Sequence, residues 1–173
     1  GLALGGIFAL VFAYVYGRIG RSGPGRTALW LAAAAFVVVY LVPFVKYPPN
    51  PPAVGDPDTI GERTALYVVM IWISVFAAIA AVRLRRSIGT FLAVIAYVVV
   101  VGVAGFALPT HNDIPADFPA TTLYEFRLAS IGTQLIMWAS IGLVFAAAAQ
   151  RVMTGRPIMA SVLGRGVAVS PGE

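Results

Sequence analysis

The 173-residue chain contains no cysteine, a single histidine and few charges. Each scarcity removes a class of function. Without a thiol there is no disulfide, no thiolate metal centre and no iron–sulfur ligation. With one imidazole, a haem held between two histidines of this chain is excluded, leaving only a lone axial ligand or a shared haem. Charged residues form 11% of the sequence and apolar residues 60%, with a mean hydropathy of +0.88. Soluble domains carry about a quarter charged residues, so an ordinary soluble fold is ruled out. No nucleophile–base pair, phosphate-binding glycine loop or paired intramembrane carboxylate occurs, and the sequence does not read as an enzyme.

What is present is apolar length. Five runs, roughly 2–16, 27–45, 63–82, 88–108 and 128–149, approach or reach the ~20 residues that cross a bilayer. None alternates with a period of two, which excludes a transmembrane barrel. The expected fold class is all-α, a polytopic helical membrane protein with five spanning helices. None of the five cores contains Asp, Glu, Lys or His. Intramembrane ionisable groups mark ion-coupled pumps, so a self-sufficient proton-coupled transporter is disfavoured. Gly1 with Gly5, Gly102 with Gly105, Ala77 with Ala81 and Ala129 with Thr133 supply small residues for helix contacts. Gln134 stands out among the polar groups within the runs, because a primary amide at that depth needs a partner. Tyr40, Tyr67, Ser74, Ser130, Thr133 and Ser140 read mainly as packing groups or interface aromatics, and Met70 and Met137 as gap-filling thioethers.

The charges are ordered along the chain. Arg18, Arg21 and Arg26 lie in an acid-free segment, followed by one holding Asp56, Asp58 and Glu62. Arg83, Arg85 and Arg86 come next, then Asp113, Asp117 and Glu125, then a tail with Arg151, Arg156 and Arg165. Nine of the twelve basic residues fall in one set of segments and six of the seven acids in the other. Basic segments are retained in the cytoplasm during insertion, which puts 18–26, 83–87 and the tail inside and two acidic loops outside. The first run would then begin outside, and Gly1 is not an initiator methionine, so a further upstream segment is expected. The net charge of +5 reflects topology and headgroup contact rather than nucleic acid.

The two acidic loops, 46–62 and 109–125, share a plan that suggests a parallel helix-pair repeat. Nine of the twelve prolines lie in or beside them, stiffening both. Each closes on a capping box, Thr59 with Glu62 and Thr122 with Glu125, in which threonine accepts from a free helix N–H and glutamate reaches back. An arginine follows in both copies (Arg63, Arg127), and a Trp-x-Ser lies deeper (Trp72 with Ser74, Trp138 with Ser140).

The candidates for chemistry are in these loops. His111, Asp113, Asp117, Asp56 and Asp58 offer imidazole and carboxylate ligands suited to a borderline divalent transition ion. Two readings stand open for them: ion capture, and acids that keep an extracytoplasmic loop soluble. His111 also fits a pH-sensitive gate. Asn50, Asn112 and Gln134 are the amides available to replace water ligands along a path.

Read together, residues 42–67 (VPFVKYPPNPPAVGDPDTIGERTALY), 108–120 (LPTHNDIPADFPA) and 126–134 (FRLASIGTQ) resemble the probable cobalt transporter subunit family CbtA. The resemblance covers essentially the whole chain. It implies a small multi-spanning protein of the bacterial inner membrane that takes up cobalt for cobalamin synthesis. It also implies a one-helix partner, CbtB, with a histidine-rich terminus, and a further apolar segment upstream.

The combined expectation is one transmembrane bundle over 1–150 and a cytoplasmic basic tail over 151–173. The bundle is read as a divalent-metal permease subunit in the lipid bilayer, with Co²⁺ as the transported ion and no permanently bound cofactor. The competing reading is a structural subunit of a larger membrane complex that transports nothing.

Overall fold

A backbone amide in a hydrocarbon layer finds no water to bond, so it must pair along its own helix. The computed structural model describes residues 2–20, 22–110 and 114–155, and every regular element among them is helical. The order is α1 (Leu2–Val15), α2 (Pro24–Ala35), a π-helical segment (Phe36–Leu41), α3 (Val42–Lys46), a 3₁₀ turn (Pro57–Thr59), α4 (Ile60–Ile88), α5 (Thr90–Ala107) and α6 (Ala120–Thr154). Among the described residues, four stretches, Pro24–Lys46, Pro57–Ile88, Thr90–Ala107 and Ala120–Thr154, are long and apolar enough to cross a membrane. The first of the five expected runs forms α1, whose 14 residues reach about 21 Å of a ~30 Å hydrocarbon core.

Several expected loops are helical. Arg83, Arg85 and Arg86 sit in the last turns of α4, where cations complement the helix dipole. The link from α4 to α5 shrinks to Gly89, whose φ of +84° is open to glycine and strained for other residues. The tail expected from residue 151 begins as helix, because α6 runs to Thr154; Arg156 and Arg165 lie outside the described residues, as do Gly1 and Arg21.

The chain divides into two compact units, one from Gly1–Ala34 with Met137–Glu173, the other from Ala35–Ile136. In the first, Phe12, Ala28 and Ala146 form the buried centre, and Phe8 and Phe12 each meet Phe145 edge-on at 5.0 Å between centroids. Small residues let α2 and α6 approach closely. A Cβ placed on Gly142 would lie 2.7 Å from the Ala32 Cβ, whereas one on Gly5, Gly102 or Gly105 would meet nothing within 4 Å. Gly5, Gly102 and Gly105 therefore do not mark a close approach of another helix. Gln150, only 4% exposed, completes the contact. Its Oε1 accepts from the Gly25 N–H at 3.1 Å, and its Nε2 donates to Thr154 Oγ1 at 3.0 Å. Gly25 is the second residue of α2, so this bond satisfies one of the amides that a helix start leaves unpaired.

In the second unit, the π-helical segment ends two residues before the buried Pro43. Proline has no N–H and crowds the carbonyl four residues back. Widening the helix, with the Val42 N–H donating to Val37 O five residues back, relieves that crowding and turns Tyr40 inward.

Gly142→Ala should cost about 1–3 kcal/mol in thermal unfolding in detergent, by forcing α2 and α6 apart. Adding Ala32→Gly should recover most of that loss.

Candidate functional site

The two proline-rich loops meet at one end of the second unit. The Lys46 ammonium donates to Thr110 Oγ1, and the Tyr47 hydroxyl donates to Pro109 O at 2.8 Å. Desolvation holds the Tyr47 phenol above its ordinary value, so it stays protonated and able to donate at neutral pH. Arg127, near the start of α6, reaches into the first loop, with Nε towards Pro49 O and Nη2 towards Asn50 Oδ1, both at 3.4 Å. Between them lies a hollow of about 770 Å³, lined by residues that include Lys46, Asn50, Arg63, Tyr67, Thr110 and Arg127. Ala53, also in its wall, holds a left-handed backbone (φ 63°) that costs a non-glycine residue strain. Gly55 leaves room for the Arg63 guanidinium: a Cβ there would lie 3.0 Å from Nη1.

The expected ligands are distributed differently. Asp56, Asp58 and Asp117 are exposed and do not line the hollow. The Asp56 carboxylate accepts from the Asp58 N–H at 2.9 Å and so caps the 3₁₀ turn. Among the described residues, no three His, Cys, Asp or Glu side chains gather to hold a metal ion. His111, Asn112 and Asp113 lie outside the described residues. Asn50 does line the hollow; Gln134 is half-buried on α6 and does not.

The capping boxes also differ from expectation. Thr59 is the N-cap of α4 but makes no side-chain capping bond; its hydroxyl donates backwards to Asp56 O at 2.9 Å, and Glu62 follows in the first turn. Helix α6 begins at Ala120, so Thr122 and Glu125 lie inside it rather than flanking its start. Asp56, immediately before the Pro57–Thr59 turn, makes the cap instead, its carboxylate carrying a full charge to the free Asp58 amide.

Next to the hollow, the second unit holds a row of buried and half-buried polar and thioether side chains. Tyr67, Met70 and Ser74 share one face of α4 by their spacing. Tyr67 lines the hollow, while Met70 and Ser74 are 2% and 0% exposed. Tyr40 and Ser130 share a hydrogen bond of 3.0 Å, and Ser74 and Tyr97 one of 2.8 Å. Tyr97 in turn lines a second hollow of about 230 Å³ with Val38, Ala78, Ala81, Arg85 and Ala93. From Tyr67 to Ala78 is about 16 Å along α4 at 1.5 Å per residue. The row therefore runs between the two hollows. In the sequence Tyr40, Tyr67, Met70, Ser74 and Ser130 stand out singly and Tyr97 not at all; the fold brings them together.

A sequence model of the family CbtA, described as probable cobalt transporter subunit, matches residues 1–150. The chain belongs to the CbtA family. No curated protein and no solved structure matches it. Membership makes this a membrane protein of a transporter-subunit family with cobalt as the associated ion, and the apolar helices agree. As a CbtA subunit it has partners by description. The two Trp-x-Ser copies have opposite surroundings within their own units: Trp72 is exposed and Ser74 buried, while Trp138 is buried and Ser140 exposed. The polar row is thus built on one copy alone.

A double-mutant cycle on Ser74→Ala and Tyr97→Phe should return a coupling of about 0.6 kcal/mol in unfolding from detergent, the average for hydrogen bonds between membrane helices. Additive losses would mean that the bond contributes nothing.

Proposed function

We propose that this chain is the permease subunit of a cobalt uptake system in the bacterial inner membrane. The observation that carries the reading is the row of hydroxyl and thioether groups running between two hollows in a member of this family. In this reading the arginine ends of the helices and the basic tail face the cytoplasm, by the retention of positive segments, and the proline-rich loops face outward. Asp56, Asp58 and Asp117, with His111 and Asp113, concentrate hydrated Co²⁺ at the outer mouth. Asn50 and Asn112, and deeper Gln134, exchange with its water ligands, and the buried hydroxyls follow. Such neutral oxygen ligands hold a divalent ion weakly, which suits passage, since conduction fails when binding is too tight. A small one-helix, histidine-rich partner of the CbtB kind supplies the imidazoles this chain lacks.

A second reading, an accessory subunit of a larger membrane complex, draws on the absence of a three-ligand cluster among the described residues. Constant co-purification with an enzyme complex, with no cobalt phenotype on deletion, would favour it.

Cells carrying His111→Ala together with Asp113→Ala should accumulate radio-cobalt about tenfold more slowly at limiting concentration, a loss of ~1.4 kcal/mol in capture. Unchanged uptake would remove the capture role of these two side chains. Because the chain has no native cysteine, single thiols report sidedness without background. Asp58→Cys should react with an impermeant maleimide on intact spheroplasts and Ser87→Cys only after lysis; the reverse result would invert the topology.

A further inference from the structure

One short stretch of helix passes both hollows. Val38 lines the smaller and Val45, seven positions on (45 minus 38), the larger; the two hollows share no described lining residue. Between these valines the chain is π-wound as far as Leu41, a winding that is rare and concentrates at functional sites. Tyr40 sits inside the π segment and is buried. Its hydroxyl is hydrogen-bonded to Ser130 on α6 at 3.0 Å, and its ring centroid lies 5.8 Å from that of Phe36 and 5.4 Å from that of Phe44. With the buried Met70 and Ser74 it belongs to the row that runs between the hollows.

Backbone hydrogen bonding does not by itself choose between this winding and an ordinary one. The Val42 N–H donates to Val37 O, five residues back; in an α-helix it would donate to Val38 O, four back. Pro43 has no N–H to give to Val38, five back, or to Val39, four back. One carbonyl beside the proline therefore goes without its helix donor in either winding, Val38 in the π form and Val39 in the α form. Two other features hold the π form: room for the proline ring, and the bond between Tyr40 and Ser130. A wider turn takes up one more residue, so rewinding shifts the register by one position, about 100° around the helix. That rotation carries the Tyr40 hydroxyl away from Ser130.

We propose that Phe36–Leu41 is a two-state gate between the hollows, latched in the π form by the Tyr40–Ser130 bond and released when the segment rewinds as α-helix. That the gate admits a hydrated divalent ion rests on the permease reading; the rewinding does not.

The test uses the full chain in nanodiscs and follows hydrogen exchange at the amides of residues 36–42 without cobalt. Tyr40→Phe, which removes only the hydroxyl, should speed exchange there about threefold, the worth of an average hydrogen bond between membrane helices. Thr133→Ala, which removes a hydroxyl bonded within α6 itself, should leave it unchanged. In a Pro43→Ala background the crowding that opposes the α form is gone, so adding Tyr40→Phe should bring no further acceleration. If Pro43→Ala does not fold, deletion of Val39 serves in its place, because it removes the residue that the wider turn takes up. Equal acceleration by Tyr40→Phe in both backgrounds would mark an ordinary lost contact, and no acceleration in either a bond that latches nothing; each overturns the proposal. Cobalt flux into liposomes separates the gate from the permease reading. Flux that Tyr40→Phe speeds supports the gate, and flux that it leaves unchanged overturns it. No flux from the parent chain counts against the permease reading, with the exchange result still deciding the gate.

Discussion

A hydrogen-bonding side chain inside a bilayer has nowhere to turn but another part of the protein, and this constraint organises the whole chain. Ser74 finds Tyr97, Tyr40 finds Ser130, and Gln150 finds the open start of α2. Lipid supplies no hydrophobic drive for helices to meet. Close backbone approach at Gly142 and Ala32 and edge-on rings around Phe145 therefore supply the cohesion of the first unit. In the second unit the same constraint produces a line of paired polar groups through an otherwise apolar interior.

The fold was legible in the sequence because membrane insertion writes itself in long-wavelength features: runs of apolar residues and the sign of charge between them. Local boundaries were less legible. The Thr-x-x-Glu pairs imitate capping boxes, yet Asp56 takes the free amide ahead of Thr59, and α6 starts before Thr122. Gln150 makes a buried amide contact that composition alone does not separate from Gln134. What separates them is a glycine on another helix, 125 positions away, offering an unpaired N–H.

The candidate site was legible only in part, and for a physical reason. Acids near prolines draw attention as ligands, but Asp56, Asp58 and Asp117 lie in water, where they need no partner. The groups that converge are those whose presence among acids had no topological reason. Basic residues set among acids run against the alternation of charge along this chain. Lys46, Arg63 and Arg127 are the three such residues, and each arrives at the hollow from a different helix end.

The single-residue joint at Gly89 has a mechanical corollary. With no slack between α4 and α5, sliding one along the membrane normal drags the start of the other by the same distance. Any rearrangement of these two helices that opens the interior of this unit must then be a tilt of a coupled pair about that glycine, like a hinge with a fixed pin, and not two pistons moving past each other.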